Sequence, residues 1–126
     1  MSILAKLFRF FPRTRGEEQL IHFSVALSSG TVGAFGGNST FVTSVTKAAT
    51  GKYDVVLSKG FPALLGIEPC ILLGSAPTKE SSVVLYALDA AAGTFSFAIT
   101  NDNALASITG SVYFTLFFAA NTAPYA

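Results

Sequence analysis

The sequence predicts an all-β protein, a single antiparallel β-sandwich or jelly roll of about seven or eight strands with a short N-terminal arm or helix. Two observations carry this prediction. From residue 20 onward, apolar and polar residues alternate in short segments, which is the period of a half-buried strand. Turn-forming clusters of glycine, serine, asparagine and aspartate separate these segments at regular spacing. No helical periodicity follows residue 19.

The composition indicates one domain whose surface is partly covered in its working state. The chain has 126 residues, enough for a core without metal or disulfide support. Apolar residues make up 51% of it and charged residues only 12%, which is below the usual quarter. So few charges favour burial of the surface in an oligomer or a larger assembly.

The charge and cysteine content exclude several classes of protein. A net charge of +1 argues against a nucleic-acid-binding surface over the whole domain. Cys70 is the single cysteine, so we expect no intrachain disulfide, no cysteine-based metal site and a reducing compartment of synthesis. No apolar run has the length of a membrane-spanning helix, and we expect no secretory signal peptide and no membrane partner.

The N-terminal arm, residues 1–19, differs from the predicted sandwich domain of residues 20–126. Residues 2–11 carry an apolar stripe at helical spacing, which ends at Pro12. A helix this short is marginal in water, so we expect it to dock on its own domain, on another subunit or at a membrane surface. The predicted partner-binding residues are the apolar stripe and its cations: Leu4, Lys6, Leu7, Phe8, Arg9, Phe11, Arg13 and Arg15.

The first predicted strands flank a glycine-rich segment. Residues 20–27 place Ile21, Phe23, Val25 and Leu27 on one face, and residues 28–39 are interpreted as a long loop. Residues 40–47 and 53–58 are predicted to form a β-hairpin, with Gly51 at the turn position that tolerates a positive φ.

The second half of the chain is predicted to form four more strands. Residues 67–74 form a nearly continuous apolar strand, and Pro69 within it indicates an edge position or a bulge. Residues 83–88 and 94–100 are predicted to form a hairpin, and residues 101–110 a polar loop. The last strand, residues 111–120, carries aromatic residues on both faces. It is therefore central or covered by a neighbouring subunit. Tyr113, Thr115 and Phe117 are the predicted interface of a homotrimer.

No set of residues in the sequence indicates catalysis, a cofactor or a metal site. His22, the single histidine, is interpreted as a polar residue on a half-exposed strand, and Cys70 as a buried, inert thiol. Asp89 and Asp102 lie beside turns, where aspartate bonds backbone amides. The segment around Asp102 resembles the start of a calcium loop but lacks its glycine and closing glutamate. We therefore predict a non-enzymatic protein.

One long segment carries a family resemblance. The segment VTKAATGKYDVVLSKGFPALLGIEP joins a threonine- and glycine-containing turn, a G-x-Y-x-V-x-L strand and an aromatic-plus-proline loop, at Gly51, Tyr53, Val55, Leu57, Phe61 and Pro62. An F-x-F-x-I strand and an apolar last strand follow. This layout, over residues 20–122, resembles small virion proteins of tailed bacteriophages. The chain departs from it where NDNALASITG replaces an Asp-rich loop before the last strand.

The resemblance implies a jelly roll of the complement/tumour-necrosis-factor type and a trimer in a head-decoration or tail-fibre component. We expect a decoration or cement protein that docks through its arm on the major capsid protein or another virion subunit. Its location is then the virion, assembled in the host cytoplasm. The alternative is a tail-fibre module that binds a receptor or glycan, with loops such as residues 33–38 forming the site.

Overall fold

A computed structural model describes residues 18–60 and 64–119. Within these ranges the chain forms β-strands joined by short connections, with one 3-10 turn at Ser39–Phe41. The strands are β1 (Glu18–Ser28), β2 (Thr31–Gly37), β3 (Val42–Ala49), β4 (Lys52–Leu57), β5 (Leu64–Leu73), β6 (Ser81–Asp89), β7 (Thr94–Asn101), β8 (Ala104–Leu105) and β9 (Gly110–Ala119).

The strands build two antiparallel sheets. The first sheet has the order β2-β1-β9-β5, and the second has the order β3-β4-β7-β6, with β8 pairing on β7. The two sheets pack face to face around one core, so the predicted all-β sandwich is confirmed. Strand β9 lies between β1 and β5, which confirms the central position that aromatic residues on both of its faces predicted.

Aromatic side chains fill the centre of the core. The Phe114 ring lies 5.1 Å from Phe23, 5.3 Å from Phe95 and 5.0 Å from Phe97, measured between ring centroids. These distances fit the offset and edge-on arrangements that aromatic rings prefer. Because each strand alternates, every second residue of β1, β7 and β9 reaches this cluster, and the residues between point away from it.

The β3–β4 hairpin is confirmed, with Gly51 at its turn. Gly51 has a φ of +72°, and a Cβ there would lie 2.8 Å from the carbonyl oxygen of Ile99. The Gly51 carbonyl also accepts a hydrogen bond of 2.7 Å from the Ile99 amide. The glycine is therefore required both by its backbone conformation and by the close approach of β7.

The interpretation of residues 28–39 as a long loop is wrong, because most of this segment is strand β2, paired with β1. The glycines that indicated a loop instead allow close strand contact. A Cβ at Gly36 would lie 2.6 Å from Ser24 Oγ, and one at Gly37 would lie 2.7 Å from the His22 carbonyl oxygen. Backbone pairing therefore forms this strand without apolar alternation.

Two further details differ from the sequence prediction or refine it. The predicted polar loop of residues 101–110 contains the two-residue strand β8. Pro69 lies in β5, which is an edge strand of the first sheet, so the predicted edge position is confirmed; the register shift of this strand lies between Leu64 and Gly66, away from the proline.

The outer face of the first sheet is the surface turned away from the core. Cross-strand pairing places the outward residues of β1, β9 and β5 in rows across this face. In chain order, they are Leu20, His22, Ser24, Ala26, Gly66, Glu68, Cys70, Leu72, Ser111, Tyr113, Thr115 and Phe117. The eight predicted partner-binding residues of the arm lie outside the described residues.

Candidate functional site

The outer face of the first sheet is the candidate functional site because large apolar side chains lie uncovered on it. Leu20 is 53% exposed, Leu72 is 58% exposed and Tyr113 is 45% exposed. They belong to three neighbouring strands, β1, β5 and β9, and share one face of the sheet, with Leu20 and Leu72 towards its opposite ends. Exposed apolar side chains gathered on one face mark an interaction site more often than isolated exposed residues do.

This face carries little charge. Glu68 is the only acidic or basic residue among the outward positions that define it, apart from the single histidine. A solvent-facing sheet surface ordinarily carries interspersed charges of both signs. The outward positions that define this face therefore carry one carboxylate and no lysine or arginine, which suits contact with an apolar or cationic partner.

The predicted oligomer-interface residues all lie on this face. Tyr113 is exposed, whereas Thr115 and Phe117 are half-buried. Their alternation with the buried Val112 and Phe114 is the pattern that predicted them. Sequence reasoning missed Leu20 and Leu72, which join this face because β1 and β5 pair on either side of β9.

His22 makes local hydrogen bonds on this face. Its Nδ1 lies 3.1 Å from the Thr115 hydroxyl oxygen, and its backbone amide donates to Asn38 Oδ1 at 3.0 Å. The ring is exposed, as predicted. Beside it a shallow depression of about 230 Å³ is lined in part by Ser24 and Tyr113.

The interpretation of Cys70 as a buried thiol is wrong, because the side chain is exposed. The apolar run that suggested burial lies in an edge strand, where Ile71 packs toward the core and Cys70 points outward beside Tyr113. Cys70 lies on β5 and His22 on β1, with β9 between them. Two strand spacings separate them by about 10 Å, so the two residues do not form a nucleophile–base pair.

The acidic residues of the loops bond backbone amides, as predicted. Asp89 Oδ1 accepts from the Ala92 amide at 3.1 Å, and Asp102 Oδ1 accepts from the Glu80 amide at 3.0 Å. In residues 18–60 and 64–119, no three histidine, cysteine, aspartate or glutamate side chains gather as metal ligands. None of the helical segments within these ranges could cross a membrane.

The loop end of the sandwich consists of the turns at residues 29–30 and 50–51 and of residues 101–109. Hydrogen bonds within the chain hold these segments together. The Tyr53 hydroxyl donates to the Gly30 carbonyl at 2.7 Å, and the Gly30 amide donates to the Ile108 carbonyl at 2.9 Å. Burial raises the pKa of Tyr53 above its usual value. An open cleft of about 260 Å³ lies beside these turns, with Lys79 in its wall.

Comparisons of the sequence and of the structure with known proteins found no relative. No protein-family model, curated protein or solved structure matches the chain. The outer face of the first sheet and the sequence are therefore the two sources of evidence on function.

Proposed function

We propose that this protein is a non-enzymatic structural subunit that acts in an assembly, and that the outer face of the first sheet is its contact with other copies. The observation that carries the proposal is the exposure of Leu20, Leu72 and Tyr113 on one nearly uncharged surface. Each such side chain contributes on the order of 1.5–3 kcal/mol when it is fully buried.

The size of this face suits an interface. Four strands at about 4.8 Å spacing and about 30 Å length cover roughly 600 Å². A partner surface of equal area in contact with this face brings the buried total to about 1,200 Å², which is the lower limit of stable, specific protein interfaces. The half-buried Thr115 and Phe117 continue the surface between the exposed side chains. An interface of this size is therefore stable only if the two surfaces pack closely against each other.

The resemblance to small bacteriophage virion proteins supplies the biological setting of this proposal. In that setting the protein is a homotrimeric decoration or cement subunit of the head, and its arm docks on the major capsid protein or another virion subunit. The sparse charge of the chain, 12% of its residues, fits a subunit that works with much of its surface covered.

A receptor- or glycan-binding module of a tail fibre is the second candidate. The depression beside His22 and Tyr113 favours it, because sugar rings stack on exposed aromatic side chains and bond neighbouring polar groups. Antibody labelling of purified particles distinguishes the candidates: label spread over the shell supports head decoration, and label confined to the tail supports the fibre module.

Light scattering coupled to size exclusion tests the self-association. We expect the full chain to elute at about three times its monomer mass of 13.1 kDa. Leu72→Asp should yield monomers, because it places a charge in the interface. The matched control is Val84→Asp, at a residue 53% exposed on β6, the corresponding edge strand of the second sheet. A monomeric wild-type chain at micromolar concentration, or dissociation of both variants, contradicts the proposal.

A further inference from the structure

We infer that the N-terminal arm of one copy lies on the outer face of the first sheet of a second copy. The inference rests on the proposed self-association, and it makes a second copy of this chain, rather than the major capsid protein, the subunit that receives the arm. Two surfaces carry the inference. The outer face is apolar with a single carboxylate among its outward positions, and the segment that precedes β1 in the same chain is apolar and cationic.

The arm has the length to cover this face. Seventeen residues precede Glu18, which pairs with Ala119 at the end of the first sheet away from the loop end. Seventeen extended residues reach about 55–60 Å, whereas the ten residues of β9 span about 34 Å. A helix over residues 2–11 would be about 15 Å long and would fit within the face.

The charges of the two surfaces are complementary. The arm contains Lys6, Arg9, Arg13 and Arg15, with Glu17 as its only acid before β1. The described residues contain four lysines and six acids, a net charge of −2. None of those four lysines is among the outward residues that define the face. Cations on the arm therefore meet a carboxylate and no like charge there.

The apolar surfaces also match. The stripe of the arm consists of Leu4, Leu7, Phe8 and Phe11, and the face offers Leu20, Leu72 and Tyr113. A buried phenylalanine removes about 150–250 Å² from water. The arm therefore supplies the second apolar surface of the contact, in place of a second sheet face.

A second copy suits this contact better than the chain's own face. Strand β1 enters the sheet along its axis at Glu18, and six residues separate Glu18 from Phe11. Six extended residues span about 20 Å, and Pro12 favours an extended residue before it. A linker that continued the direction of β1 would carry the stripe beyond the end of its own sandwich. An arm on the next copy's face is a head-to-tail contact, which closes into a ring such as a trimer.

Cysteine cross-linking tests the inference, because Cys70 is the only cysteine and lies on this face. One full-length chain carries Cys70→Ser together with Leu4→Cys, Leu7→Cys, Phe8→Cys or Phe11→Cys. It is co-expressed with the unchanged chain and treated with a short bismaleimide, and linked peptides are identified by mass spectrometry. We expect at least one arm position to link to Cys70 of the other chain. The yield should be at least about tenfold above a control in which the second chain carries Cys70→Ser and Val84→Cys, and it should fall with added salt.

Each other outcome is decisive. A chain that carries Leu7→Cys and retains Cys70 reports contact within one molecule, and intramolecular links without links between chains overturn the inference. Links from Cys70 to Cys70 without arm links also overturn it, while leaving self-association through this face intact. A monomeric protein without any of these links overturns both the inference and the proposed function.

Discussion

The loop end of the sandwich and the outer face of the first sheet differ in what their groups are bonded to. At the loop end, Gly51 and Tyr53 make hydrogen bonds to other parts of the same chain. On the outer face, Leu72 and Tyr113 are exposed and have no apolar cover within the described residues. We infer that the loop end stabilises the fold, whereas the outer face is available for association.

The comparison predicts that substitutions in these two regions separate stability from assembly. Changes at the loop end should lower the free energy of unfolding and leave the folded fraction able to associate. Changes on the outer face should alter association and leave the free energy of unfolding of the monomer nearly unchanged, because exposed side chains contribute little to folding. Matched substitutions of one residue type, one in each region, test this most directly.

The largest effect is expected for a pair of glycine substitutions. Gly51→Ala should lower the free energy of unfolding by about 2–4 kcal/mol, because the positive φ disfavours alanine and the new Cβ meets the backbone of Ile99 and Ala106. Gly66→Ala, on the outer face, should change it by less than about 0.5 kcal/mol, since a Cβ there has no neighbour within 4 Å. Urea unfolding of both variants measures the difference, and equal losses contradict the comparison.

The sequence predicted the regular part of the fold because burial of one strand face imposes alternation. That pattern located β1, β4, β7 and β9, and Gly51 marked the turn between β3 and β4. Alternation failed for β2, where backbone pairing and close approach at Gly36 replace apolar side chains. It also failed at Cys70, because an apolar run does not reveal that one face of an edge strand is uncovered.

The candidate site was predicted only in part, because alternation identifies the outward residues of one strand but not the strands beside it. Tyr113, Thr115 and Phe117 lie on one strand, so their shared face follows from period two alone. Leu20 and Leu72 join that face only through the strand order, which brings β1 and β5 to either side of β9. Strand order depends on pairing between distant segments, and local sequence patterns contain no information about it.

An intermediate effect is expected for a pair of tyrosine substitutions. Tyr53→Phe removes the buried hydroxyl that donates to the Gly30 carbonyl, and it should lower the free energy of unfolding by about 1–2 kcal/mol. Tyr113→Phe, on the outer face, should change it by less than about 0.5 kcal/mol. Thermal and urea unfolding measure both. If Tyr113→Phe proves the more destabilising of the two, the outer face contributes to the fold and the comparison fails.

The smallest effect is a dependence of stability on alkaline pH that arises from Tyr53. Burial raises the pKa of this tyrosine in the folded protein above that in the unfolded chain, because the charged phenolate is disfavoured away from water. The neutral form therefore stabilises the fold fully below about pH 10, and this contribution is lost as the pH rises toward the folded-state pKa. For a single proton, the loss is at most about 1.4 kcal/mol per pH unit.

Comparison with Tyr53→Phe isolates this contribution from the other groups that titrate at high pH. The free energy of unfolding of the wild-type chain should fall more steeply above about pH 10 than that of the variant. Tyr113→Phe is the control, and it should follow the wild-type curve because its hydroxyl is on an exposed residue of the outer face. Parallel curves for the wild-type chain and Tyr53→Phe would mean that the Tyr53 hydroxyl is as accessible to water as that of Tyr113. The loop end would then contribute no more to the stability of the fold than the outer face does.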